Sequence, residues 1–95
     1  MTATPVRSIA IPGVSGAVRT EQSVYRGFTV RETAGSTALV RLFDHASAAS
    51  GTVLEEIALA ANETARECYS GGVWAVLGIY VQIVSGSVSG SVRIG

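Results

Sequence analysis

Asp44-His45-Ala46-Ser47 brings together the three side-chain types of a nucleophilic triad within four residues. A working triad draws base, orienting acid and hydroxyl from separate parts of a fold so that they converge on one point. Neighbours in a turn do not converge, and there is no Gly-x-Ser-x-Gly elbow to raise Ser47. The segment reads instead as an Asx turn in which Asp44 caps its own backbone. Glu55-Glu56 offers paired carboxylates of the kind that cleave glycosidic bonds. Adjacent strand residues, however, point to opposite faces and cannot flank one bond, and one of the two is expected to meet an arginine. His45 is the only histidine and Cys68 the only cysteine, with no metal-ligand spacing around either. Cys68 is expected to be a buried small hydrophobe, and neither a metal nor a cofactor is expected. Gly13-Val14-Ser15-Gly16 lacks the Lys and Thr of a phosphate loop and reads as a joint. Tyr25, Tyr69, Tyr80 and Trp74 would make a sugar-stacking platform if two were exposed together. Trp74 and Tyr80 share a parity in the most apolar segment, which assigns them to a core or an interface. No catalytic residue is assigned and the chain reads as a non-enzyme.

The elements that must position these residues are bounded by composition. Ninety-five residues hold one domain. The chain is 47% hydrophobic and 15% charged, with seven acids against seven bases. Every base is arginine, and the absence of lysine argues against a groove that neutralises phosphates, so no nucleic-acid partner is expected. The longest apolar run, Val73 to Val84, falls short of the ~20 residues a spanning helix needs, so no membrane partner is expected. The N-terminus lacks a basic region leading into a continuous apolar segment, which argues against a signal peptide. A single cysteine makes no internal disulfide. Val, Ser, Thr, Ala and Gly dominate, a mixture suited to short strands and tight turns.

Residues 1–22, punctuated by Pro5, Pro12, Gly13 and Gly16, read as an extended N-terminal arm with an edge strand at about 6–11, because proline sits at the ends and edges of paired strands. Val6, Arg7, Ile9 and Ile11 are its candidate contact residues, toward a partner or a neighbouring copy. Residues 23–95 read as the domain. Val24, Arg26, Phe28 and Val30 alternate with Tyr25, Gly27, Thr29 and Arg31, with Phe28 and Val30 inward. A turn at Ala34-Gly35-Ser36 leads to a strand over 37–43, with Leu39, Arg41 and Phe43 outward, and residues 44–51 turn again. Over 53–67 the local rules conflict. Thr52 and Glu55 form a capping-box pattern and the apolar spacing is near helical, while two strands joined by a turn at Ala60 to Glu63 fit equally well. Ser70-Gly71-Gly72 breaks the chain. Val73 to Val84 reads as a central strand buried on both faces, bent at Gly78. The last strand puts Val88, Val92 and Ile94 on one face and Ser87, Ser89, Ser91 and Arg93 on the other. Parity then predicts a core of Phe28, Val30, Val40, Leu42, Ile57, Leu59, Trp74, Val76, Leu77, Ile79, Val81 and Ile83, anchored by Trp74. The fold expected is all-β, a single-domain antiparallel β-sandwich or jelly-roll-like barrel of six to eight short strands.

The run from Arg26 to Ile94 resembles a group of small bacteriophage virion proteins, through Phe43-Asp44 followed by Ser47-Ala48-Ala49-Ser50-Gly51-Thr52-Val53, then Ile57-Ala58-Leu59-Ala60-Ala61-Asn62, then Gly71-Gly72-Val73-Trp74 and Ile79-Tyr80-Val81. The resemblance favours strands over 53–67. It implies a β-sandwich made in the host cytoplasm and placed on the capsid surface of the virion as a decoration or minor capsid protein. The partners implied are the major capsid protein and further copies of the chain, as a homo-oligomer for which a trimer is suggested. A tail- or fibre-associated binding module contacting a partner protein or a host glycan is the alternative.

Overall fold

A computed structural model describes residues 6–95; Pro5 and the rest of 1–5 lie outside the described residues. The described residues form eight strands: β1 (Arg7–Ala10), β2 (Gly16–Arg19), β3 (Ser23–Glu32), β4 (Ala38–Asp44), β5 (Thr52–Leu59), β6 (Thr64–Ala75), β7 (Ile79–Ser85) and β8 (Val88–Ile94). They lie in two four-stranded sheets, β1-β8-β3-β6 and β2-β7-β4-β5. Every paired neighbour is antiparallel. Pairing is nested about the β4–β5 loop: β4 with β5, β3 with β6, β2 with β7 and β1 with β8. One long hairpin wrapped round itself in this order is the jelly roll, an all-β sandwich of eight strands.

The ambiguous segment is two strands. β5 ends at Leu59, Asn62 takes a left-handed φ of 62°, and β6 begins at Thr64. Glu63 closes this turn, its carboxylate accepting from the Ala60 amide at 2.7 Å and its own amide donating to the Ala60 carbonyl at 3.1 Å. No helix cap forms at Thr52, because the Glu55 side chain is engaged across the sandwich with Tyr25 and Tyr69.

Residues 1–22 were expected as an extended arm, and their described part is built into both sheets. β1 pairs with β8 from Arg7↔Ile94 to Ala10↔Ser91, and β2 pairs with β7. The chain therefore crosses from one sheet to the other at Ile11 to Ser15, and Ile11 itself lies in the core.

The core holds Tyr25, Phe28, Val30, Val40, Leu42, Ile57, Leu59, Ile79, Val81, Val92 and Ile94, as the alternation largely required, with Tyr25 its largest fully buried side chain. Trp74, Val76 and Leu77 were assigned to this core and are instead exposed, and Ile83 is only partly buried against it. In β3 the expected parity holds only beyond a bulge. The register shifts between Tyr25 and Gly27 against both neighbours, so Tyr25 as well as Phe28 and Val30 point inward. Gly27 makes this shift feasible: its φ is 134°, and a Cβ there would strike the Glu67 carbonyl oxygen. Phe43, expected outward, pairs with Tyr80 on the side away from inward-facing Leu42 and Val81, and it is buried there outside the core cluster.

One end of the sandwich is tied by a single carboxylate. Glu32 closes β3 fully buried and accepts backbone N–H groups from Ala34 at 2.7 Å, Gly35 at 2.8 Å, Ser36 at 3.2 Å and Asn62 at 3.0 Å. Its amide donates to the Glu63 carbonyl at 2.9 Å, and the Thr33 amide to the Ser87 carbonyl at 3.0 Å. The carboxylate thus joins the loops after β3 and β5, and the adjacent Thr33 amide ties in the loop after β7. These donors, the Asn62 amide foremost, hold the Glu32 carboxyl below its ordinary range. A group lowered in the folded state contributes stability above its ordinary titration range and loses it as pH falls through the lowered value. Glu32→Gln is expected to lower the urea midpoint at neutral pH, with the gap to the parent protein closing in acid. Urea denaturation at stepped pH measures this, and a gap of constant size would remove the charge from the account.

Candidate docking surface

The apolar run expected as one central strand is divided between the two sheets. Its first part ends β6 in the sheet of β3, the turn Val76 to Gly78 crosses over, and the remainder is β7 in the sheet of β4. Two features force the turn. Gly78 has a φ of 145°, with the Arg19 carbonyl where a Cβ would stand. Asp44, at the end of β4, accepts the Val76 amide at 3.0 Å and the Leu77 amide at 2.8 Å. Asp44 was expected to cap its own turn and instead caps this distant one, leaving its own to His45, whose Nδ1 accepts the amides of Ser47 at 3.1 Å and Ala48 at 3.0 Å. With both the carboxylate and the imidazole nitrogen bound to backbone, Asp44, His45 and Ser47 make no relay.

The consequence is an apolar tip. Trp74 is 62% exposed, Val76 58%, Leu77 54% and Val73 48%, so four large apolar side chains within five residues face outward on a turn whose amides are fixed. Trp74 stands on β6, at the edge of its sheet, opposite Val24. Beside it β6 bulges: Tyr25 pairs with Val73 and Gly27 with Cys68, so four residues of β6 oppose Arg26 alone. Gly71 and Gly72 in this bulge, with Val24 and Trp74, line a shallow pocket of about 140 Å³. The Arg26 guanidinium holds the bulge by donating to the Ser70 carbonyl. A rigid, partly desolvated aromatic with aliphatic neighbours is the composition of an interface centre.

The other sequence-predicted residues are dispersed. Val6 is 44% exposed and Arg7 exposed, whereas Ile9 packs on the core and Ile11 is buried in it. Only the first two of this set therefore face outward. Removing residues 1–20 would strip an edge strand from each sheet, which makes that deletion a test of folding and not of docking. Cys68, expected to be buried, is exposed, because alternation in β6 turns it outward opposite Gly27. The adjacent carboxylates separate as strand geometry requires: Glu56 meets Arg41 at 2.9 Å and Glu55 turns inward. Tyr80 lies on β7 in the opposite sheet from Trp74, so the two form no platform. Among the described residues no group of three or more His, Cys, Asp or Glu is placed to hold a metal ion.

Inside, sequence reading missed a polar clamp between the sheets. Glu55 of β5 accepts the hydroxyls of Tyr69 at 2.6 Å and Tyr25 at 3.1 Å, both in the facing sheet, and the two rings stand 6.0 Å apart at 54°. The spacing of these three residues carries no signal, because their meeting depends on register.

No protein-family model matches the chain, and no curated protein or solved structure is detectably similar to it.

The clamp has a pH signature. The Glu55 hydrogen bond, with some burial, pushes the Tyr69 phenol up to about 12, and burial together with Glu55 raises Tyr25 further. Stability from a raised group is complete below the ordinary phenol range and is lost as pH climbs through the raised value. Tyrosinate absorbance on alkaline titration is expected to show the Tyr69 step near 12 and to lose it in Tyr69→Phe. An ordinary phenol titration at Tyr69 would mean that the clamp does not form.

Proposed function

We propose that this chain is a non-enzymatic structural protein of a bacteriophage virion that decorates or cements the capsid surface by docking on the major capsid protein. The exposed tip of Trp74, Val76 and Leu77 carries the reading. Three further points support it. The jelly roll is a stiff scaffold able to present one turn without rearranging. The groups that resemble catalytic machinery are consumed in caps and clamps. The strand and turn texture from Arg26 to Ile94 resembles small virion proteins. Multiplicity on a shell raises the effective affinity of a small footprint, so a tip of a few side chains suffices where many copies act together. Homo-oligomerisation, with a trimer as the form suggested by the resemblance, belongs to the same proposal.

Binding to undecorated shells tests this. Trp74→Ala combined with Leu77→Ser is expected to leave folding stability within ~0.5 kcal/mol, as for exposed sites in general. It should weaken shell binding by about 30-fold or more, the loss typical of interface hot spots. Leu42→Ala, in the core, is expected to cost ~2 to 5 kcal/mol and serves as the folding control. Undiminished binding by the tip variant would refute the docking surface. Protein quantification of purified particles supplies the second arm: hundreds of copies at a fixed ratio to the capsid protein are expected, and a few to a few dozen would assign the chain to the tail.

A further inference from the structure

The arginines are divided unequally between the sheets. Arg19 and Arg41, in β2 and β4, each have a carboxylate partner, Glu21 at 3.1 Å and Glu56 at 2.9 Å. Arg7, Arg26, Arg31, Arg66 and Arg93 all belong to the β1-β8-β3-β6 sheet, and among the described residues none of them makes a salt bridge. Residues directly opposite in antiparallel strands share a face. Phe28, Val30, Val92 and Ile94 point inward, so Thr29, Arg31, Ser91 and Arg93 point outward, and Arg66 and Cys68 join them opposite Thr29 and Gly27. Of the carboxylates nearest this face, Glu32 is enclosed by four amides, whereas Glu67 is exposed and contributes one carboxylate to the groove wall beside the arginines.

Gly27 leaves the middle strand without a side chain where Cys68 and Arg93 stand on either hand. The result is a groove of about 280 Å³ lined by Arg66, Glu67, Cys68 and Arg93. Arg93 is fixed beside it, donating to the Thr29 hydroxyl at 2.6 Å, which uses one of the five guanidinium N–H groups. Two strand spacings, roughly 10 Å, separate the backbones carrying Arg66 and Arg93, so their planar forks flank one bound group.

We infer that this groove binds the acidic unit of a saccharide, a carboxylate- or sulfate-bearing sugar held between Arg66 and Arg93. The guanidinium fork matches an oxyanion bidentately. The rest of the face offers hydroxyls, Thr29, Thr64, Ser89 and Ser91, which donate and accept as sugar hydroxyls require. Nucleic acid fits less well, since no lysine accompanies the arginines. The groove size suits one sugar unit, near the lower limit for small-ligand sites. The groove lies across the β6 bulge from Trp74 on the same face, and the inference does not depend on the capsid reading.

Calorimetric titration of the full chain with oligogalacturonate and with chondroitin sulfate tests it. Binding to at least one is expected, with none to a neutral dextran oligomer. Arg66→Gln and Arg93→Gln should each weaken binding about 10-fold or more, whereas Arg41→Gln, on the opposite sheet, should leave it unchanged. Because Cys68 is the sole cysteine and lies in the groove wall, bound saccharide should also slow its alkylation by iodoacetamide, a readout independent of affinity. Circular dichroism of each variant confirms the fold. Absence of binding, equal affinity for a single-stranded oligonucleotide, or equal affinity for inorganic sulfate alone would each overturn the assignment.

Discussion

Nested antiparallel pairing is the constraint on which everything else rests. The pair at the centre, Asp44↔Thr52, closes a short loop, whereas the outermost, Arg7↔Ile94, joins the two ends of the described chain. Each outer pair must wait for the inner ones to bring its strands together, and loop-closure entropy is spent before the later contacts repay it. The outer pairs are also the ones that complete the core, since Ile11, Val92 and Ile94 arrive with them. Without the last turn of the wrap, β3 would be left as a sheet edge, with Phe28 and Val30 uncovered on one side.

Carboxylates then fix what pairing leaves loose. Glu32 gathers two loops at one end, Asp44 pins the turn before β7 at the other, and Glu55 joins the sheets between them. Each replaces a partner that water would otherwise supply, which is how irregular backbone survives in a small domain. This use of acids has an electrostatic result. A chain with zero formal net charge presents two unlike faces, because most of its acids are spent inward or on the β2-β7-β4-β5 sheet while most of its arginines stand on the other.

Much of the fold was legible because alternation is a local property. Phe28 and Val30, Val40 and Leu42, and Val88, Val92 and Ile94 declare their inner faces within a few residues. The failures came where distant parts of the chain decide. Nothing near Val76 and Leu77 signals that Asp44, 32 and 33 positions away, will receive their amides and turn an apolar run outward. Trp74 looked like a core anchor because bulk and hydrophobicity fit a core and an interface alike. A bulge is a second source of error: one inserted residue at Arg26 moved Tyr25 into the core. The arginine face is a product of register and had no counterpart in spacing.

The four-residue excursion of β6 at Tyr69 to Gly72 bears on how copies of this chain tolerate crowding. β6 is the longest strand and borders its sheet, so as a straight ribbon it would offer a ladder of free amides and carbonyls to any neighbour. The excursion cuts that ladder into two short lengths that cannot be extended in a common register. Molecules packed side by side therefore meet through side chains rather than by fusing their sheets, and a dense array stays an assembly of separate subunits instead of growing into a fibre.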